Sequence, residues 1–277
     1  MVRKILIIGS KGYLGSALCE RLPSEALLEI RGLDRGHTEE ELRKSLQWCD
    51  VCILANGLSN HIAGQENPFL DFQLNVAEIL DILKSEKGLK FIYLGSLCQY
   101  GVLEGKIEES RVCDPKEPQG LSKVFMEGAL GFLQKVNHLD FVSLRLGTVF
   151  GRKTDLNNPS LLEKMILSTL HGKTFEVYGG KERTWSGLSI EHFVGAIAKV
   201  IQKDKYEGRV YNLATCQWPF GELDQDLSLK FVPSNPATPY AVSCQRFKDQ
   251  FGWGFDSLNA RDIVRRLKIE IRQFQSI

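Results

Sequence analysis

Lys4-Ile5-Leu6-Ile7-Ile8-Gly9-Ser10-Lys11-Gly12-Tyr13-Leu14-Gly15 is the stretch that decides the fold. An apolar run of strand length stops at Gly9, and a helix-period pattern starts at Tyr13. Three glycines punctuate the turn at intervals of three residues. Gly9 permits the tight turn, Gly12 lets a pyrophosphate approach the backbone, and Gly15 lets the helix pack close to the sheet. Tyr13 and Leu14 complete the loop at the helix start, where amide groups and the helix dipole favour a phosphate. A strand, a glycine turn and a helix in this order predict a dinucleotide site. Asp34 closes the next strand, 19 residues after Gly15, where its carboxylate can accept hydrogen bonds from an adenosine ribose. That favours NAD, because a carboxylate repels a 2′-phosphate. Arg35 beside it could offset the repulsion, so NADP stays open.

Working outward, strand-like runs alternate with helix-period segments. Strands are expected at Lys4–Ile8, Leu27–Leu33, Asp50–Ala55, Lys90–Gly95 and Phe141–Leu146. Helices are expected at Tyr13–Arg21, from the capping box at Thr38 to about Gln47, from Pro68 to about Lys84, and at Ser122–Val136. This alternation predicts an α/β, doubly wound, Rossmann-type parallel sheet covered on both faces. After Gly151 the pattern loosens. Helices are expected at Pro159–His171, Ile190–Gln202, Tyr240–Phe251 and Leu258–Ile271, with strands at Phe175–Tyr178 and Arg209–Leu213. The expected organisation is a dinucleotide-binding domain over 1–150, with a returning segment near 186–215, and a smaller irregular substrate lobe over 151–277.

Composition narrows the function classes. Of 277 residues, 43% are hydrophobic and 25% charged, and 35 basic against 34 acidic residues leave a net charge of +1. Such a balance gives no electrostatic reason to expect nucleic acid or an anionic membrane. The apolar run before Gly9 is too short for a signal peptide, and nothing approaches the ~20 apolar residues of a membrane span. Seven scattered cysteines suit a reducing cytoplasm. Cys49 and Cys52 form a lone Cys-x-x-Cys in an apolar run, which reads as packing, and no metal site is expected.

Further landmarks follow in order: Asp50-Val51-Cys52-Ile53-Leu54-Ala55, Leu74-Asn75-Val76, Leu94-Gly95-Ser96-Leu97-Cys98-Gln99-Tyr100-Gly101, Arg145-Leu146-Gly147-Thr148-Val149-Phe150-Gly151, Tyr178-Gly179-Gly180 with Arg183, Tyr211-Asn212, and Phe251-Gly252-Trp253. With the glycine turn, they resemble the extended short-chain dehydrogenase/reductase family, in its NAD-dependent nucleotide-sugar epimerase/dehydratase group. The resemblance spans nearly the whole chain. It implies a nucleotide-sugar substrate and, beside the glycine turn, cofactor contacts at Ala55, Asn75 and Lys123. It implies substrate contacts at Ser96, Thr148 and Arg183, where Thr148 replaces a frequent asparagine. Arg145 reads as an ion-pair partner, and Asn157 and Asn158 lie in a loop that could face the substrate. The resembling proteins commonly form homodimers through the helices that here would be Pro68–Lys84 and Ser122–Val136.

The same resemblance places a catalytic tyrosine four residues before Lys123, and Gln119 stands there instead. An amide donates and accepts hydrogen bonds but carries no titrating proton near neutral pH. Ser96 and Lys123 are in place, so only the proton-transfer group is altered. Tyr100, Cys98, Glu108 and His61 are the candidate substitutes. Three functions stay open: an NAD(P)-dependent epimerase, dehydratase or reductase with altered proton transfer; a cofactor-binding pseudoenzyme serving as sensor or partner; and a non-redox epimerase in which Gln119 donates to an oxyanion.

Overall fold

In this computed structural model, residues 2–24, 27–84, 88–151, 159–204, 208–233, 239–252 and 256–275 are described. The first half of the chain runs β1 (Arg3–Ile8), α1 (Tyr13–Arg21), β2 (Leu28–Leu33), α2 (Glu39–Trp48), β3 (Val51–Leu54), α3 (His61–Glu66), α4 (Pro68–Phe72), α5 (Glu78–Leu83) and β4 (Lys90–Ser96). Then follow β5 (Gly105–Ile107), α6 (Pro118–Asn137), β6 (Asp140–Leu146), β7 (Thr148–Phe150), α7 (Leu161–Leu170), β8 (Phe175–Tyr178), β9 (Thr184–Ser189) and α8 (Ile190–Gln202). The last part holds β10 (Val210–Leu213), β11 (Cys216–Pro219), α9 (Phe220–Leu223), β12 (Leu229–Val232), β13 (Tyr240–Val242), α10 (Gln245–Phe251) and α11 (Ala260–Gln275).

The chain divides into two units. One comprises Met1–Val102, Ser110–Leu146 and Val194–Tyr211; the other comprises Leu103–Glu109, Gly147–Phe193 and Asn212–Ile277. A six-stranded sheet of order β10-β6-β4-β3-β1-β2 forms the frame of the first unit. Pairing from β2 through β6 is parallel, with Ile5 opposite Ile30 on one side and Val51 on the other. Because side chains alternate along a strand, Leu6, Ile8, Cys52, Leu54, Phe91 and Tyr93 share one face. They are buried there with Val76, Ile79, Leu83, Met126 and Leu130. Cys49 and Cys52 are part of this packing. The alternate residues Ile5, Ile7, Ile53 and Ile92 are buried as well, which is why these strands read as continuous apolar runs rather than alternating ones.

Strand order reverses around β1, which has β2 on one side and β3 on the other. A sheet wound this way opens a crevice at the carboxyl ends of those strands. Local signals held closely here. Thr38 and Glu41 form a reciprocal capping box that starts α2, and α1 spans the residues its periodicity predicts.

Three expectations are refined. The helix expected from Pro68 to about Lys84 runs without interruption to Leu83, and within it α4 and α5 flank a π-helical turn over Gln73–Ala77. Such turns re-aim a side chain, and here the residue turned inward is Asn75. Helix α6 starts at Pro118, earlier than its periodicity suggests, because proline is suited to a first helical position. Gln119 therefore sits in a helical turn. The helix expected over Tyr240–Phe251 is a strand and a shorter helix, since Tyr240–Val242 pairs in parallel with β5. Distant pairing overrides local periodicity there.

The second unit has its own core. Trp185 stacks on Trp218 at 5.4 Å between centroids, beside Phe150 and the buried faces of α7 and α11. Its three-stranded sheet has the order β11-β9-β7, and β8 pairs with β12.

Candidate functional site

The crevice holds a cavity of about 930 Å³ whose walls include Gly9, Lys11, Gly12, Asp34, Arg35, Ala55 and Asn56. Missing side chains give it its shape. Gly9 has φ +85°, a conformation that costs other residues, and a Cβ on it would lie 2.7 Å from Asn56 N. A Cβ on Gly15 would lie 2.0 Å from Gly9 O. Gly12 is the N-cap of α1 and makes no side-chain capping bond to its first turn, which brings the positive end of that helix dipole to the crevice.

Asp34 braces the same turn. Its carboxylate accepts from Ser10 Oγ at 2.5 Å and from Lys11 N at 2.9 Å. Arg35, Lys11, His37 and Arg43 supply cationic or imidazole groups to the cavity wall. Asn56 contributes a buried Oδ1 that lacks a partner, a polar atom awaiting a donor. Glycines at close approach, an uncapped helix start, a braced carboxylate and an unsatisfied acceptor together fit an adenine dinucleotide.

A second cluster lies around Leu58. Asn75 is fully enclosed, and its amide takes both ends of the Leu58 peptide: Leu58 N donates to Oδ1 at 3.0 Å and Nδ2 donates to Leu58 O at 3.2 Å. Asn75 thus anchors the loop after β3. Gln119 Nε2 donates to the same Leu58 O at 3.1 Å. Gln119 is 7% exposed, and its Oε1 is buried without a partner. A carbonyl can only accept, so Leu58 O fixes the orientation of the amide. The atom of Gln119 left without a partner is its acceptor, Oε1.

Ser96 ends β4. Its Oγ accepts from Cys98 N at 3.3 Å, and its N donates to Gln99 Oε1 at 2.9 Å. Gln99 Nε2 reaches Glu127 on α6 at 3.3 Å, and Glu127 also receives Ser143 Oγ at 2.8 Å and the Arg145 guanidinium. This makes Arg145 an ion-pair partner. Lys123, one helical turn beyond Gln119, donates Nζ to Leu94 O at 2.9 Å and lies 4.9 Å above the Tyr93 ring. Burial penalises its charge and pulls its pKa down to about 8, against the opposing pull of Cys98 and Asp71.

The candidate substitutes for the phenol separate clearly. Tyr100 is buried, with Arg145 stacked on its ring at 4.8 Å. Burial pushes the Cys98 thiol up to about 11. Glu108 belongs to the second unit and pairs with Lys106 at 2.5 Å. His61 opens α3, and its Nδ1 lies 2.9 Å from Glu117 Oε2. Sequence reading missed Glu117 and Asn56. Glu117 had one usable signal, its place directly before the helix-starting Pro118.

Thr148 and Arg183 lie in the second unit. Thr148 begins β7, half-buried and opposite Gly187 of β9. Arg183 is exposed; its Nη1 donates to Tyr178 O, and its guanidinium sits 5.8 Å from the Phe220 ring centroid. Asn157, Asn158 and Trp253 lie outside the described residues.

The model of the NAD dependent epimerase/dehydratase family matches residues 5–214. Among curated proteins, the UDP-glucose 4-epimerase of Lactobacillus helveticus is 22% identical, across 94% of this chain and 91% of that protein. The crystal structure of UDP-glucuronic acid 4-epimerase from Bacillus cereus, in complex with UDP-glucuronic acid and NAD, superposes with a TM-score of 0.84. It is 19% identical over 98% of this chain and 99% of its own. RMD from Pseudomonas aeruginosa, complexed with NADPH, superposes with a TM-score of 0.79 at 19% identity, over 99% of both chains. At these identities the structural likeness establishes the Rossmann-type fold.

Proposed function

The chain belongs to the NAD dependent epimerase/dehydratase family, and from that premise we propose that it is an NAD(P)-binding oxidoreductase of epimerase/dehydratase type acting on a nucleotide-activated sugar. The observation that carries the reading is the cradle around Gly9, Gly12 and Gly15, braced by Asp34 and opening into a dinucleotide-sized cavity. Tyr13, Leu14 and Ala55 flank the dinucleotide, and Arg35 leaves room for NADP beside NAD. A bound nicotinamide would supply a hydride acceptor and donor. The Ser96 hydroxyl then polarises a carbinol oxygen, Lys123 holds ribose hydroxyls, and the Gln119 Oε1 receives a hydroxyl hydrogen. The dinucleotide falls to residues 1–150 with the segment near 186–215, and the sugar nucleotide mainly to 151–277, through Arg183, with Thr148 just before that lobe. All seven cysteines are free thiols, in keeping with a reducing cytoplasm. No described helix is long and apolar enough to cross a membrane.

The test is to incubate the purified NAD-loaded chain with UDP-glucose and related UDP-sugars. Sugar products are followed by NMR and bound NADH by absorbance. Interconversion or dehydration with transient NADH is the expected result. Tight NAD binding with no product and no NADH from any sugar nucleotide would count against it.

A second reading, a cofactor-binding pseudoenzyme that senses or partners, draws support from Gln119, whose Nε2 is committed to Leu58 O and whose amide titrates no proton. Gln119→Tyr separates the two. Activity appearing only in the variant favours the pseudoenzyme; a native enzyme slowed by the change excludes it.

The reading also includes a homodimer. Phe69, Phe72, Leu121, Phe125, Phe132 and Val136 expose apolar surface on α4 and α6, and Phe72 meets Phe125 edge-on at 5.3 Å. Apolar clusters of this kind mark interaction surfaces. Sedimentation of wild type and Phe132→Glu should show a dimer giving way to a monomer.

A further inference from the structure

We propose that His61 and Glu117 form the proton carrier that takes the place of the missing phenol. The inference rests on the oxidoreductase reading above. The two residues are 56 positions apart, yet His61 Nδ1 and Glu117 Oε2 lie 2.9 Å from each other. They belong to the same two segments that Gln119 ties together. Glu117 is two residues before Gln119 at the head of α6. His61 is three residues after Leu58, whose carbonyl receives the Gln119 amide. One hydrogen bond joins the segments at the old phenol position, and the imidazole–carboxylate pair joins them beside it.

The backbone under His61 is held firmly. Asn75 grips both polar atoms of Leu58, and Asn60 Oδ1 accepts from Ile62 N and Ala63 N to start α3. A carboxylate at Nδ1 selects the tautomer that carries its hydrogen there. Nε2 is then the nitrogen left with a lone pair, the arrangement of an imidazole oriented by a carboxylate to accept a proton. The His61 side chain is 51% exposed and that of Glu117 25%, so Nε2 can meet a ligand or one bridging water.

Division of labour follows. Gln119 carries no titrating proton and cannot remove one from the substrate hydroxyl. His61 can. In the oxidative direction the carbinol O–H bond would break and its proton pass to Nε2, while the C–H bond would release its hydrogen with both bonding electrons, as a hydride, to the nicotinamide that the cradle would hold. The C–O bond becomes C=O. The imidazolium returns the proton when the ketone is reduced.

The experiment uses the full chain loaded with NAD and labelled with 15N-histidine. Only five histidines are present, so His61→Asn assigns the His61 imidazole signals. Adding UDP-glucose should move the His61 Nε2 resonance; binding that leaves it unmoved overturns the proposal. Kinetically, His61→Asn should lower kcat roughly 10²–10⁴-fold, the usual worth of general acid–base catalysis, with little change in KM. Glu117→Gln should lower kcat by about tenfold, and Gln119→Tyr should restore turnover to His61→Asn. A His61→Asn enzyme with unchanged kcat, or with only KM raised, overturns the dyad and leaves the oxidoreductase reading standing. A wild type that neither turns over nor binds any sugar nucleotide removes that reading, and the dyad with it.

Discussion

At the ends of β1 and β2 the chain makes room by leaving side chains out. At the end of β4 and the head of α6 it fills the space with polar side chains and spends them on its own backbone. The cradle depends on Gly9 and Gly15, where added carbons would strike Asn56 N at 2.7 Å and Gly9 O at 2.0 Å. The polar corner depends on Gln119 held by Leu58 O, Lys123 held by Leu94 O and Ser96 bonded to Cys98 N and Gln99. A binding cradle tolerates little change in shape but asks little of its side chains. The polar corner ties its side chains to backbone and leaves one buried acceptor, Gln119 Oε1, without a protein partner.

The sharpest way to break this contrast is Gly15→Ala. The new methyl meets backbone rather than a flexible side chain, so α1 must move off the turn. We expect overpacking to cost about 1–3 kcal/mol of stability and NAD affinity to fall by about 100-fold, a difference of ~2.7 kcal/mol. Thermal melts and calorimetric titration would register both. Retained NAD affinity would mean that the turn does not set the shape of the cradle.

Lys123 tests the corner through pH. Its folded pKa of about 8 lies below the ordinary 10.5 because burial disfavours the ammonium. Between those values the unfolded chain binds a proton that the folded chain has released, so stability rises with pH across that window and is lowest, for this group, below pH 8. The interval corresponds to roughly 3 kcal/mol. Lys90, also pulled down to about 8 by burial, adds in the same direction. Urea denaturation should show wild type gaining stability from pH 8 to 10, with a smaller gain in Lys123→Met. An equal gain in the variant would mean that Lys123 is solvated.

The smallest effect is expected from the charges beside the cradle. Asp34→Ala removes acceptors for Ser10 Oγ and Lys11 N and should weaken NAD by about tenfold, the scale of one charged hydrogen bond. Arg35→Ala should leave NAD affinity nearly unchanged and lower NADP affinity by about fivefold, in line with loss of one solvent-facing charge contact. An Arg35→Ala protein that loses NAD instead would assign Arg35 to the adenine or its ribose.

Much of the cradle was legible in residues 4–34, because strand, turn, helix and braced carboxylate follow one another within a short span and each depends on local conformation. Capping at Thr38 and the start of α1 were legible for the same reason. The π-helical turn around Asn75 was not: the helix is continuous, as periodicity predicts, but the wider turn that carries Asn75 goes with the bonds it makes to the distant Leu58 peptide. Nor was the strand at Tyr240–Val242, whose pairing partner is Gly105–Ile107.

By itself, then, the sequence determined the α/β class, the position of the dinucleotide turn and the absence of a phenol at position 119. The tertiary structure decided which way the Gln119 amide faces, that Asn75 holds a loop, and that His61 meets Glu117. The physical reason is distance along the chain. Backbone conformation and capping are set by residues within a few positions of each other, whereas the Gln119–Leu58 and His61–Glu117 bonds join positions 61 and 56 apart and exist only once the sheet has brought its connecting loops to the same edge.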